Sequence, residues 1–149
     1  MAQSPPTWVR KRACPTDNDE GQCIADAEVL THHTKERGQF ISAPRPEIPG
    51  ECDVSLMRGA LTTYEASKQR NGGNPPAAAD VAKAGIRYTT AGDLRQAGFG
   101  VIHTPGLKGE GYGHVSAVWP AANPLDEHEC EWPAPVQEAF RTCFTEQEG

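Results

Sequence analysis

One segment, Cys52–Arg70 (CDVSLMRGALTTYEASKQR), constrains the fold most, because its residues predict a strand, a turn and a helix in immediate succession. Val54 and Leu56 recur at the period of two that is typical of a half-buried strand. Arg58 and Gly59 end this pattern, so the strand places the Arg58 guanidinium at its carboxyl end. A cation just before a helix start is a candidate binding group.

The helix that follows is predicted by its capping residues. The Thr62 hydroxyl can accept a hydrogen bond from the Glu65 N–H, and the Glu65 carboxylate can accept one from the Thr62 N–H. The helix should extend to about Gln69, because Asn71–Gly73 favours termination. The chain therefore combines sheet and helix within one short unit.

Composition limits the other regular elements to short ones. Of the 149 residues, 13 are proline, 15 are glycine and 37% are hydrophobic, so much of the chain is loop and turn. The length is sufficient for one domain with one core. We expect a disordered tail over residues 1–6 and a single domain over residues 7–149.

The remaining pattern predicts an α+β fold. Strands are expected over 86–90, 99–104 and 114–119, and Thr90 has the position of an N-cap for a second short helix. A final amphipathic helix is predicted by an apolar stripe, Val136, Ala139, Phe140, Cys143 and Phe144. We predict a mainly antiparallel sheet of about four to six strands with two or three short helices, the C-terminal one packed on the sheet.

Two polar segments are interpreted as irregular. Thr31–Gly38 (THHTKERG) is typical of a polar turn, and residues 71–79 are typical of a Gly/Pro/Ala linker. The residues after the last helix (TEQEG) are expected to fray.

Charge and hydropathy argue against several classes of function. The net charge is −6 and no basic face is concentrated, which argues against nucleic acid as a partner. No apolar run has the length of a membrane span, and the N-terminus lacks the apolar core of a secretory signal. The five cysteines are irregularly spaced, so we predict five reduced thiols and a cytoplasmic location.

Three segments together, FISAPRP, RGALTTYEAS and GHVSAVWP, resemble a group of small uncharacterised bacterial proteins. These proteins share an arginine–glycine turn, a Leu-Thr-Thr step, a Glu-Ala helix and a late strand that carries a histidine. The resemblance covers about Phe40 to Trp119 and implies a bacterial, cytoplasmic setting. It assigns no activity.

Three enzyme classes are compatible with parts of the sequence. His114 in a GHV strand and Cys52 upstream resemble a Cys–His amidase, although the next helix start, at Thr62, lies well beyond Cys52. Arg58 resembles the phosphate-binding arginine of ADP-ribosyltransferases, whose Ser/Thr-rich strand and late glutamates would correspond to Tyr88–Thr90 and to Glu146 and Glu148. His114-x-Ser116 and His32-His33-Thr34 resemble the paired motifs of a 2H phosphoesterase.

The sequence as a whole favours a small bacterial accessory or interaction protein without catalysis, whose partner is another protein. Arg58, Thr90 and His114 are predicted to line a site for a small anionic group. An ADP-ribosyltransferase-like nucleotide-binding enzyme, or a degenerate relative, is the alternative, and a Cys–His hydrolase is the third; their catalytic candidates are Arg58, His114 and Cys52. No cofactor or metal site is predicted, because no cysteine pair has the spacing of a zinc site.

Overall fold

A computed structural model of the chain describes residues 2–3, 24–45, 47–48, 52–103, 113–120 and 128–146. The architecture is α+β, as predicted. The elements in chain order are β1 (Ala2–Gln3), β2 (Val29–Thr34), β3 (Val54–Arg58), α1 (Thr63–Arg70), α2 (Ala78–Lys83), β4 (Gly85–Thr90), α3 (Ala91–Gln96), β5 (Gly100–His103), β6 (His114–Val118), β7 (His128–Glu129), α4 (Ala134–Thr142) and β8 (Thr145–Glu146).

Six of these strands form one antiparallel sheet in the order β5-β6-β3-β2-β4-β8. The short strands β1 and β7 pair separately, which places Ala2–Gln3 opposite β7, while the other residues of the predicted tail lie outside the described ranges. β8 forms within the residues that were expected to fray, because its backbone pairs with the edge of β4. The order places β2 and β3 at the centre.

The described residues form four helices, one more than the upper end of the predicted range of two or three. The additional helix, α2, begins at Ala78, inside the segment that was interpreted as a linker. Its sequence, AADVAK, contains three alanines, the residue with the highest helix propensity, and an acidic side chain in the first turn.

The two faces of the sheet pack against different helices. The first face carries Leu30, Leu56 and Val115, and it forms the main core with residues of α3 and α4. The second face carries Met57 and Ile86, which pack against Ala66 of α1. The sheet therefore lies between helices on both sides.

The polar segment Thr31–Thr34 lies in the central strand β2, so the predicted turn over Thr31–Gly38 is wrong for these four residues. All four side chains are buried. Buried polar groups are tolerated when they are hydrogen-bonded, and the Thr31 hydroxyl donates to the Gly59 carbonyl at 2.6 Å and accepts from the Leu61 N–H at 3.0 Å.

His32 is buried in the main core as a neutral ring. Its ring centroid lies 4.9 Å from that of Phe40 and 5.7 Å from that of Phe144, and its Nε2 accepts a hydrogen bond from the Ile41 N–H at 3.3 Å. Burial is the main cause that lowers the pKa of His32 to about 4. Protonation of this ring is therefore unfavourable in the folded protein.

Lowering the pH from 7 to 5 should destabilise the protein, although these pH values lie above those at which carboxylates titrate. The pKa values of His32 and His33 are both lowered to about 4 in the folded chain, against 6.5 for an ordinary histidine, so the unfolded chain binds more protons below pH 6.5. The free energy of unfolding should fall by about 2 kcal/mol per histidine between pH 7 and pH 5. Urea unfolding at pH values from 7 to 5 measures this decrease in the free energy of unfolding. In His32→Phe the decrease should be about half as large as in the wild type. A constant free energy between pH 7 and pH 5 would contradict the burial of both rings.

The C-terminal helix packs on the sheet as predicted. Phe140 is completely buried, and Val136, Ala139, Cys143 and Phe144 are partly buried against the main core. The helix begins directly after Pro133, a position at which proline is tolerated because the first N–H groups have no intrahelical partner.

Cys52 and Cys130 form a disulfide, so the prediction of five reduced thiols is wrong. The bond joins Cys52, two residues before β3, to Cys130, directly after β7, across a sequence separation of 78. Within the described ranges, Cys143 is the free cysteine, and Cys14 and Cys23 lie outside those ranges. Cysteine spacing could not reveal this pair, because the pairing depends on how two segments distant in the sequence meet in the fold.

Among the described residues, no helix has the length and apolar character needed to cross a membrane.

Candidate functional site

Arg58 is held by an ion pair rather than presented to a ligand. Its Nε donates to Glu28 Oε2 at 2.6 Å and its Nη2 donates to Glu28 Oε1 at 2.5 Å, which is the bidentate geometry of a strong guanidinium–carboxylate pair. Hydrogen bonding to Glu28 raises the pKa of Arg58. Glu28 lies just before β2 and Arg58 ends β3, so the antiparallel pairing of these strands brings the two side chains together.

The structure does not bring Arg58, His114 and Thr90 together. His114 pairs with Met57 across β6 and β3, and side chains of adjacent residues in a strand point to opposite faces, so Arg58 and His114 lie on opposite faces. Thr90 caps α3, where its hydroxyl accepts from the Asp93 N–H at 3.2 Å, and it lies three strands away from β6. The predicted three-residue anion site is therefore not formed.

His114 is completely buried on the second face. Its Nε2 lies 3.0 Å from the Ser55 hydroxyl, and the neighbouring Ser116 is also completely buried. These polar groups lie inside the sheet rather than at a surface that a substrate could reach.

The disulfide removes the candidate nucleophile of the Cys–His hydrolase. Cys52 is buried and its sulfur is bonded to Cys130, so it is not available as a thiolate. The 2H phosphoesterase arrangement is not formed either, because the side chains of His32 and Thr34 occupy the first face whereas His114 and Ser116 occupy the second.

The features expected of an ADP-ribosyltransferase do not converge in the described residues. Arg58 is bound by Glu28, and Glu146 lies opposite Arg87 at the far edge of the sheet. Glu148 lies outside the described ranges. Glu146, in β8, therefore lies three strands away from Arg58 in β3.

A cavity of about 380 Å³ lies where the end of β2 meets α1 and α2, and we call it the His33 cavity. This volume is within the range of small-molecule sites. Its lining comes from three separated segments: the end of β2 with the next turn, the carboxyl-terminal half of α1, and the region of α2. The lining residues are His33, Lys35, Glu36, Ser67, Arg70, Asn71, Pro76, Asp80 and Lys83.

His33 and Ser67 form the buried wall of this cavity. His33 extends from the second face of β2, and its Nε2 lies 3.3 Å from the Ser67 hydroxyl of α1. His33 is 8% exposed, and its Nδ1 has no hydrogen-bond partner among the described residues. Burial, followed by the charges of Arg70 and Lys35, lowers the pKa of His33 to about 4, so the ring is neutral at pH 7.

Three cations line the same cavity. Lys35, Arg70 and Lys83 form no ion pair with any residue in the described part of the chain. Asp80 and Glu36 also line the cavity, which leaves an excess of one positive charge when His33 is neutral. An excess of unpaired guanidinium and ammonium groups in a concave site attracts anions.

The chemistry of the His33 cavity fits binding better than catalysis. A Ser–His pair can generate a nucleophile only if the histidine accepts the hydroxyl proton, and a pKa of about 4 makes His33 a weak base at neutral pH. In addition, no carboxylate hydrogen-bonds to His33 Nδ1 within the described residues to orient the ring. The Ser67 hydroxyl and the three cations are hydrogen-bond donors for a ligand, whereas Asn71 Nδ2 already donates to the Asn74 carbonyl at 3.3 Å and to the Pro75 carbonyl at 3.2 Å.

The described residues contain no group of three histidine, cysteine, aspartate or glutamate side chains that could hold a metal ion. Cys130 cannot act as a metal ligand because its sulfur is bonded to Cys52. His32 and His33 are adjacent in β2, so their side chains point to opposite faces of the sheet.

The sequence does not reveal the His33 cavity, because the polar segment that contains His33 is typical of a turn. Thr31 and Thr34 flank the two histidines and are β-branched, which is a weak strand signal that could have corrected this interpretation. Arg70 and Lys83 carry no local signal, since they meet only through the packing of α1 and α2.

Comparisons with protein-family models, with curated proteins and with solved structures find no match to this chain.

Proposed function

We propose that this protein is a non-catalytic binding protein that holds a small oxyanion, such as a phosphate or sulfate group, in the His33 cavity. The observation that carries the proposal is the convergence of Lys35, Arg70 and Lys83 on one concave site with no ion pair in the described residues. Cations that face each other across a cavity repel one another, and a bound anion offsets this repulsion because it attracts each of them.

The accessory role expected from the sequence is compatible with this proposal, because ligand binding can regulate an interaction with another protein. The partner protein, the bacterial origin and the absence of nucleic acid as a partner stay predictions from the sequence. They rest on the resemblance and on the net charge of −6.

The disulfide favours an oxidising compartment over the cytoplasm expected from the sequence. Disulfides persist where thiols are not continuously reduced, and the Cys52 side of this bond is buried. We therefore propose that the protein acts outside the reducing cytoplasm.

Arg70→Gln should weaken the binding of sulfate by about 10-fold to 100-fold, because a hydrogen bond to a charged group contributes about 1.5–3 kcal/mol. Isothermal titration of sulfate into the purified protein at low ionic strength measures the dissociation constant. Lys68→Gln is the matched control, since Lys68 lies in the same helix, is exposed and does not line the cavity. Equal loss in both variants would indicate general surface attraction, and no measurable sulfate binding by the wild type would refute the proposed function.

A further inference from the structure

We propose that the His33 cavity takes up its oxyanion together with one proton, and that His33 holds this proton. This inference rests on the proposed function and adds a coupling between ligand binding and pH. It concerns fully ionised tetrahedral oxyanions with two negative charges, for which sulfate is the simplest representative.

The imidazole ring of His33 can gain a proton without losing its hydrogen bond to Ser67. The ring lies between β2 and α1, and its Nε2 is 3.3 Å from the Ser67 hydroxyl. A hydroxyl both donates and accepts, so Ser67 can rotate to accept a hydrogen bond once Nε2 carries a proton. Nδ1 makes no hydrogen bond to another described residue, so no acceptor is sacrificed there either.

The charges around His33 oppose protonation as long as no anion is bound. The cations that face it are Lys35 at the end of its own strand, Arg70 on α1 and Lys83 on α2, and the carboxylates that line the same cavity are Glu36 and Asp80. On the neighbouring strand β4, the residue opposite His33 is the apolar Ile86. Burial and the nearby Arg70 and Lys35 charges disfavour the imidazolium, which is why the pKa of His33 lies at about 4.

A dianion in this cavity reverses the electrostatic balance. Two negative charges offset the repulsion from Arg70 and Lys35 and attract the imidazolium directly, because the partly enclosed site screens charges less than bulk water does. The imidazolium is then the favoured form at a higher pH than in the empty site. Linkage is reciprocal, so any rise in proton affinity caused by the anion equals a rise in anion affinity caused by the proton.

The test is calorimetric titration of sulfate into the wild-type protein at pH 5.5 and pH 7.5. Each titration is performed in two buffers that differ in ionisation enthalpy. Sulfate does not titrate in this range, so any proton exchanged with the buffer belongs to the protein. We expect net proton uptake when sulfate binds at pH 5.5. The dissociation constant should decrease by up to about 10-fold for each unit by which the pH is lowered from 7.5 to 5.5.

His33→Gln assigns the proton to its site. The variant should bind sulfate with no proton uptake and with the same dissociation constant at both pH values, while circular dichroism confirms that it is folded. If the variant does not fold, the imidazole nitrogen resonances of His33 in the wild type replace it. Their titration midpoint should rise by at least one pH unit when sulfate is added.

The outcomes separate this inference from the proposed function. Sulfate binding without proton uptake and with equal affinity at both pH values would overturn the coupling and leave the proposed function standing. Proton uptake that persists in folded His33→Gln, or a His33 midpoint unchanged by sulfate, would overturn the assignment to His33. Absence of sulfate binding at both pH values would overturn the proposed function itself.

Discussion

Replacing Cys52 and Cys130 together with alanine should lower the free energy of unfolding by about 4 kcal/mol. The disulfide closes a loop with a sequence separation of 78, and the chain-entropy relation assigns about 4.5 kcal/mol to a loop of this length. A loss of this size is a large fraction of the free energy of unfolding of an ordinary domain, which is about 5–15 kcal/mol. The double variant should therefore unfold at a much lower urea concentration than the wild type.

The control for this experiment is Cys143→Ala. Cys143 is the free thiol among the described residues and is half-buried at the end of α4, so its replacement should change the free energy of unfolding by about 1 kcal/mol or less. Peptide mapping of the unreduced wild type should recover a cross-linked peptide that contains Cys52 and Cys130. Recovery of both residues as free thiols, or equal stability of the double variant and the wild type, would contradict the disulfide.

Local chemistry made part of the fold predictable. The Thr62–Glu65 capping box forms as expected, with the Glu65 N–H donating to the Thr62 hydroxyl at 3.1 Å and the Thr62 N–H donating to Glu65 Oε1 at 3.0 Å. Thr90 caps α3, and Gly98 closes this helix region with a φ of 97°, a conformation that favours glycine. Each of these features involves residues within a few positions of one another, so sequence spacing contains the information.

Long-range pairing made the central strand unpredictable. Residues 31–34 have no apolar alternation, and their place in the sheet depends on hydrogen bonds to residues about 30 positions away, such as Thr31 to the Gly59 carbonyl and His33 to the Ser67 hydroxyl. A hydrophobicity pattern indicates burial by apolar contacts and does not detect burial that is satisfied by hydrogen bonds.

The same limitation applies to the candidate site. Arg58 has the sequence context of a binding cation, but the structure places Glu28 against it, and no pattern in the sequence relates these two positions. The cations of the His33 cavity come together only through the packing of α1 and α2 beside β2. The sequence can therefore indicate that a charged residue lies at a strand end. Whether that residue is neutralised by an ion pair or exposed to a ligand depends on the tertiary structure.

Phe140→Ala should lower the free energy of unfolding by about 3–5 kcal/mol, the range for truncating a buried phenylalanine. Phe140 is completely buried where α4 meets the sheet. Its ring centroid lies 5.0–5.9 Å from the rings of Phe144, Phe99, Trp132 and Phe40, and the contacts with Phe99 and Trp132 are edge-on. Alanine at this position would leave a cavity surrounded by four aromatic rings, and a cavity of this kind adds to the loss of hydrophobic burial because rigid neighbours cannot collapse into it.

Urea unfolding of Phe140→Ala is best compared with Glu138→Ala in the same helix. Glu138 is exposed and its ion pair with Arg141, at 3.6 Å, is also exposed, so its replacement should change the free energy of unfolding by less than about 0.5 kcal/mol. Both substitutions introduce alanine into α4, so a difference in helix propensity cannot account for a loss of several kcal/mol in one of them. Phe140→Leu should recover much of the loss, because leucine fills part of the same volume with apolar atoms. Equal unfolding midpoints for Phe140→Ala and Glu138→Ala would show that α4 does not pack on the sheet through its apolar stripe.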